Sequence, residues 1–335
     1  MHNGDGRVTK GSTVANLRVV GDVHRRVPVA AKVSVPVVVL LVAAVLVLGA
    51  IPGKVLPMFL GQRYDPEQYD PAEHGYYARE IPLVTDDGLE LAAWRMRSLE
   101  TKGTVVILSG LRSPSVTAFF GYAKMLADEG WDSLLVEMRA RGQSEGDGIG
   151  FGMTEWRDVK AGVDFLTQDD RVRDMPIVAM GTSMGGATSI IAAGAIPRID
   201  AVISMSSFSS WEDLFKDHGE SLGVPPLLTV LDQPFMRREM GFVLGDDALG
   251  HSPIRAIGDM GDRPILLMHS TGDGYVPFSQ FEKLVGQAES AGVDVTTFVR
   301  EGDFHAVCME HLVPNPREDA EFAGAVLGFL DTKFP

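Results

Sequence analysis

The chain has 335 residues, 45% of them hydrophobic and 22% charged, with a formal net charge of −15. That balance excludes a disordered chain, and the acidic excess argues against nucleic acid bound through the overall field. A single cysteine, Cys308, excludes an internal disulfide and any zinc site built from several thiolates.

The charge is unevenly spread. Residues 1–54 carry seven basic and two acidic side chains, so the remaining acidic body holds a net −20. Within this basic leader, residues 33–53 read VSVPVVVLLVAAVLVLGAIPG without one charge. These 21 residues, at about 1.5 Å of helical rise each, match the hydrocarbon core of a bilayer. Six basic residues precede the run, and only Lys54 and Arg63 follow it closely. The positive-inside rule predicts a cytoplasmic leader (1–32), a single-pass signal anchor (33–53), and an extracytoplasmic body. Secretion after cleavage of a signal peptide is the rival reading, although no clean A-x-A site follows the run.

Residues 54–78, rich in Pro, Asp and Tyr, read as a linker packed on the domain of 79–335. Strands are predicted at 81–84 and 89–97, joined by the turn Asp86-Asp87-Gly88. Strand and helix patterns then alternate: strand 104–108, helix 115–129, strand 133–136, helix 155–167, strand 176–180, helix 185–195 and strand 201–205. After an interruption the order resumes with strand 264–268, helix 279–290, strand 295–299 and a last helix over about 317–330. Short apolar strands alternating with helices imply a mostly parallel sheet covered on both faces. The interruption at about 211–262, with Trp211, Phe215, Pro225-Pro226, Phe235 and Phe242, reads as a lid over the sheet's carboxyl edge. Its aromatic and Met residues fit either an acyl pocket or a small core of the lid itself.

Gly181-Thr182-Ser183-Met184-Gly185 matches G-x-S-x-G, and so does Gly142-Gln143-Ser144-Glu145-Gly146. Context separates them. A nucleophilic serine needs a sharp strand-to-helix turn with small residues two before and two after it. Ser183 lies between a predicted strand and a helix rich in small residues. Ser144 is followed by GDGIGFG, which starts no helix, and reads as a loop residue.

With these motifs the chain resembles the α/β-hydrolase superfamily over about 79–333. Residues 137–146, EMRARGQSEG, resemble that family's D-x-R-G-x-G-x-S-x-G loop, with Glu137 for Asp and Ala140 for Gly. The likeness is strongest to membrane-anchored or secreted serine hydrolases near the prolyl-oligopeptidase and serine-aminopeptidase groups. It implies an α/β-hydrolase fold: a mostly parallel central sheet, helices on both faces, a lid insertion, and here one N-terminal transmembrane helix.

A serine hydroxyl needs a base, and the base needs a carboxylate to fix its tautomer. The fold's chain order is Ser, acid, His. His305, in Glu301-Gly302-Asp303-Phe304-His305 after the last predicted strand, occupies the family's base position. His218, His251, His269 and His311 are the other downstream histidines, and His269 reads as structural at the end of a buried strand. Asp273, in Ser270-Thr271-Gly272-Asp273-Gly274-Tyr275-Val276-Pro277, resembles the family's acid loop, with Asp303 in reserve. The family's oxyanion hole places one backbone N–H at Met184 and the other at Leu111, in a Ser109-Gly110-Leu111-Arg112 loop where His-Gly is usual.

No G-x-x-x-x-G-K-[ST] and no H-E-x-x-H occurs, so no cofactor or metal is implied. Cys308 reads as a packed thiol. The expected partners are a small-molecule or lipid-like acyl substrate and the membrane, through residues 33–53, with no nucleic acid. Ester hydrolysis is the expected reaction. Peptidase or acyltransferase chemistry on the same triad is the enzymatic alternative, and a non-catalytic binding module the other.

Overall fold

The computed structural model describes residues 39, 49–50, 52–56, 60, 62–111, 113–309 and 314–335. The expected leader, most of the expected anchor, Arg112 and His311 lie outside them. Among the described residues no helix is long and apolar enough to cross a membrane.

Eight strands form one sheet: β1 (Arg79–Val84), β2 (Glu90–Met96), β3 (Gly103–Leu108), β4 (Trp131–Val136), β5 (Ile177–Thr182), β6 (Ala201–Met205), β7 (Ile265–Ser270) and β8 (Val295–Arg300). Their spatial order is β1-β2-β4-β3-β5-β6-β7-β8. β1 pairs antiparallel with β2 from Arg79↔Arg95 to Val84↔Glu90, and β2 antiparallel with β4. All remaining pairs are parallel. This is the α/β-hydrolase arrangement.

Alternation along the strands sorts their side chains into two cores. Val106, Leu108, Ile177 and Ala179 face one core. It is covered by α2 (Trp156–Thr167), α3 (Met184–Ala195), α6 (Pro253–Asp259) and α7 (Phe278–Ala291). Val105, Ile107, Val178 and Met180 face the other, covered by α1 (Phe120–Asp128) and α8 (Ala320–Lys333). Burial on both faces is why these strands read as continuous apolar runs rather than as alternating ones. The stretch expected as one helix from 115 divides in two. Ser115 caps a 3-10 turn, Val116–Phe119, and the α-helix starts only at Phe120.

Between β6 and β7 the chain leaves the sheet as α4 (Trp211–Ser221), α5 (Pro226–Leu244), a 3-10 turn (Asp246–Gly250) and α6. Trp211, Met236 and Met240 are buried in a third cluster with Phe151, Met153, Ala187, Phe208 and Val276. Leu56 and Leu60 enter the same cluster, so the chain just after the apolar run packs under the insert.

Candidate active site

β3, β5, β7 and β8 run parallel, so the loops leaving their carboxyl ends gather along one edge of the sheet. Ligands in open α/β sheets bind at this edge. The loops carry Gly110-Leu111, Ser183, Asp273 and His305 respectively.

Ser183 joins β5 to α3 with φ 56° and ψ −120°, a conformation sparsely populated for a side chain larger than glycine. The surrounding glycines let the turn close. A Cβ at Gly181 would lie 2.3 Å from the carbonyl carbon of Gly185, and one at Gly185 2.6 Å from Ser109 O. The Ser183 N–H donates to Met205 O at 2.7 Å, and its carbonyl accepts the Ala187 N–H, opening the helix. From residue 177 to 193 Ser183 alone is not buried. The strained turn thus lifts one hydroxyl out of an otherwise sealed strand and helix. Met184, the first helical residue, has no intrahelical acceptor for its N–H.

The acid and base loops are tied together before their side chains meet. Gly272 N–H donates to Gly302 O at 2.6 Å, Thr271 N–H to Arg300 O at 2.9 Å, and Ser270 Oγ to Phe304 O at 2.9 Å. Across this tie His305 Nδ1 lies 2.8 Å from Asp273 Oδ2. The other oxygen, Oδ1, accepts the N–H groups of Tyr275 (2.8 Å) and Val276 (3.0 Å). Burial alone would raise the Asp273 carboxyl. The hydrogen bond and charge of His305 and the two N–H donors outweigh it, and hold the carboxyl below its ordinary value. An ionised Asp273 only accepts, so Nδ1 of His305 carries the proton donated in this contact. His305 is half-buried while the Asp273 side chain is sealed. The imidazole is therefore fixed from behind and open in front.

His269 stands behind the same carboxylate, Nε2 3.8 Å from Asp273 Oδ2, and donates to Val276 O at 2.9 Å. Burial keeps this imidazole below its ordinary value, so it serves the loop as a neutral donor. Asp303, the reserve acid, is exposed. His251 stacks on Trp156 with ring centroids 5.1 Å apart. Cys308 is buried, and burial followed by the Asp319 charge pushes its thiol up to about 12, far from a nucleophilic thiolate.

The loop after β3 passes beside Ser183, where a Cβ at Gly110 would lie 3.1 Å from Ser183 Cβ. Arg141 clamps this loop, donating from Nη1 to Leu111 O (2.8 Å) and from Nη2 to Ser113 O (2.9 Å). Fully buried Glu137 accepts from Arg141 Nε at 3.3 Å, and also from the Ser115 hydroxyl. The E-M-R-A-R-G segment therefore supports the loop that carries Leu111. Ser144 is buried, donating to Glu137 O at 2.6 Å and accepting from Ala92 N–H at 3.0 Å.

Sequence reasoning missed two parts of this edge. His218, on α4 of the insert, donates from Nε2 to Tyr275 O at 2.8 Å. The Tyr275 ring lies 5.0 Å from that of His305. Nothing local marks either residue, because both contacts join segments distant in sequence. The Glu137–Arg141 clamp did have a signal in its i,i+4 spacing within the family-like loop. Among the described residues no group of three or more His, Cys, Asp or Glu side chains could hold a metal ion.

The sheet, the strained serine turn and the carboxylate-bound imidazole at one edge define a serine hydrolase of the α/β-hydrolase class. Residues 59–233 match the X-Pro dipeptidyl-peptidase (S15) family, and residues 151–334 the prolyl oligopeptidase family. The chain belongs to the α/β-hydrolase enzymes that these two families describe.

Among its relatives is the uncharacterized Bacillus subtilis protein YqkD, 28% identical over 59% of this chain and 64% of its own. The chain thus spans just under two thirds of that relative. The uncharacterized Salmonella typhi protein YfhR is 23% identical over 68% of this chain and 74% of its own. The Pyrococcus furiosus esterase Pf2001 has a similar fold: TM-score 0.64 at 19% identity, covering 82% of this chain and 99% of the esterase. A Pyrococcus horikoshii acylaminoacyl peptidase gives a TM-score of 0.57 at 17% identity, covering 80% of this chain and 44% of the peptidase.

Proposed function

We propose that this serine hydrolase cleaves carboxylic esters through an acyl-enzyme, with Ser183 as nucleophile, His305 as general base and acid, and Asp273 orienting His305. The Ser183 Oγ attacks the acyl carbonyl and passes its proton to His305 Nε2. The Met184 and Leu111 amides hold the tetrahedral oxyanion. Collapse breaks the ester bond, and His305 returns the proton to the departing alkoxide. Water then repeats the sequence and releases the acid. The observation that carries this reading is the 2.8 Å contact of His305 Nδ1 with a sealed carboxylate, on loops that leave the same sheet edge as Ser183, the only unburied residue of 177–193.

Ester is favoured over amide because the fold likeness to the esterase runs through 99% of that protein. A peptidase is the second reading, favoured by the two family matches. In the proposal residues 33–53 anchor the enzyme in a membrane, with the N-terminus cytoplasmic and the catalytic body outside.

A fluorophosphonate probe will label the wild type and leave Ser183→Ala unlabelled; equal labelling eliminates this nucleophile. Turnover of p-nitrophenyl esters well above aminoacyl nitroanilides is expected, and the reverse order makes the enzyme a peptidase. Protease added to spheroplasts will digest the body; a protected body places it in the cytoplasm.

A further inference from the structure

The longest helix of the insert, α5, is apolar on the side that faces away from the protein. Its buried residues are Thr229, Met236 and Met240. At about 100° per residue these share one face, and Leu227, Leu231, Phe235, Arg238 and Phe242 share the opposite one. Leu227 is 69% exposed, Leu231 48% and Phe242 70%. Leu222 and Leu228 extend the patch at the helix's beginning, 85% and 39% exposed. From Leu227 to Phe242 the stripe runs about 22 Å at 1.5 Å per residue. Isolated exposed leucines are ordinary, but a contiguous stripe along one helix marks an interaction surface.

What covers it is indicated by where the apolar run ends. A Cβ at Gly49 would lie 3.2 Å from Phe235 Cδ1, and one at Gly53 3.6 Å from Glu239 Oε1. The last residues of the 33–53 run therefore rest against one flank of α5, at Phe235 and Glu239, halfway along the stripe. If that run spans a bilayer, as proposed above, α5 is held where the chain leaves the membrane. The stripe's one cation, Arg238, lies over the Phe242 ring at 5.0 Å. A guanidinium carried on an apolar stem and ring can reach headgroup level while its neighbours sit deeper. The body holds a net −20, so a general attraction to anionic lipid does not drive docking.

We infer that the outward face of α5, built on Leu227, Leu231 and Phe242, docks into the lipid bilayer beside the anchor. This inference rests on the anchor reading and adds to it a second membrane contact, made by the insert. The same insert bonds the acid loop through His218, so docking would set the cleft's mouth against the lipid surface.

The test uses the full chain in phosphatidylcholine vesicles, with an environment-sensitive fluorophore on Leu231→Cys and, as control, on Leu99→Cys. Leu99 is fully exposed and lies between β2 and β3, at the sheet's other edge. Buried Cys308, with its thiol pushed up to about 12, does not compete for the label at neutral pH. Vesicle flotation reads the anchor; quenching by lipids spin-labelled near the headgroup reads docking. Docking predicts that the probe at 231 blue-shifts and is quenched several-fold more than the probe at 99. Equal quenching in chain that floats overturns docking and leaves the anchor standing. A blue shift at 231 without lipid quenching means that protein covers the stripe, which also overturns it. Chain that does not float overturns the anchor reading, and docking with it.

Discussion

Every residue of β3, β4, β5, β6 and β7 is buried, whereas α5 buries three of its 19. The two regions meet at the active-site edge but are held differently. The sheet fixes the starting point of every loop at that edge through paired backbone and packing on two faces. Interiors packed like this leave side chains little room to shift. The insert is fastened by one apolar cluster and a few polar contacts, such as His218 to Tyr275. Chemistry that needs sub-ångström placement belongs on the first region. The second region is held more lightly and is more exposed.

The sharpest way to break that contrast is to remove groups from the rigid edge without disturbing its backbone. Ser183→Ala deletes one oxygen at the only unburied position of 177–193. The kcat for p-nitrophenyl ester hydrolysis will fall about a millionfold with circular dichroism unchanged. A variant retaining a hundredth of the activity would show that Ser183 is not the nucleophile. Next, Asp273→Asn keeps the shape of the loop but offers an N–H or an amide oxygen where His305 Nδ1 needs an ionised acceptor. The imidazole loses its fixed tautomer, and kcat will fall about ten-thousandfold.

A third change tests how the base loop is held. Asp319 is buried with Arg300 in a two-bond pair at 2.6 and 2.7 Å. It also accepts the Met309 N–H at 2.9 Å and caps α8 through the Phe322 N–H. The Arg300 bonds, opposed by burial, hold its carboxyl well below the usual carboxylate range. An acid with a depressed native pKa adds stability above its unfolded value, near pH 3.9, and loses it as pH falls through the native one. Asp319→Asn will therefore lower unfolding free energy by about 3 kcal/mol at neutral pH. The gap between the two proteins will narrow below about pH 4, as urea titrations at pH 7 and pH 3 will show. A gap of the same size at both would mean that the carboxylate's charge is not what stabilises the loop.

Arg141→Lys tests the proposed oxyanion loop. Lysine keeps the charge beside Glu137 but cannot reproduce the fork that holds Leu111 O and Ser113 O. An oxyanion donor on a loosened loop should cost about tenfold to a hundredfold in kcat, with KM nearly unchanged. An unchanged kcat would mean that the loop keeps its shape without the clamp.

The same contrast explains what could be read in the chain beforehand. The strands, the Asp86-Asp87-Gly88 turn and the Ser183 turn were legible because their signals are local: apolar runs, turn residues, small residues at fixed offsets. Asp273 and His305 were legible through loop motifs. What tied them together, Gly272 to Gly302 and Ser270 to Phe304, joins loops about 30 positions apart and leaves no periodic trace. The helix boundary at Phe120 was missed because the Ser115 cap begins a 3-10 turn, which the apolar spacing of 115–129 does not distinguish from α-helix. In the insert, composition gave equal weight to a pocket and a core. Only the arrival of Leu56 and Leu60 from the far end of the chain makes it a shared core.

The smallest expected effect separates the two G-x-S-x-G matches. Ser144 has glycines two before and two after it, as Ser183 does, but its hydroxyl is buried and already committed. It donates to Glu137 O and accepts from Ala92 N–H, joining the clamp segment to β2. Ser144→Ala removes both bonds and leaves a strand N–H unpaired in the interior, a loss of about 1–2 kcal/mol in stability. Fluorophosphonate labelling at Ser183 will persist, and kcat will change by less than about threefold, because Arg141 still holds Leu111 O directly. Loss of labelling in a folded Ser144→Ala protein would transfer the proposed nucleophile to the second motif. A larger loss of stability would mean that Glu137 depends on Ser144 more than on its bonds to Ser115 and Arg141. Measuring stability and labelling on one preparation keeps these outcomes apart. The backbone lifts Ser183 out of the packing, whereas the same glycine-flanked motif inside the packing makes Ser144 a strut.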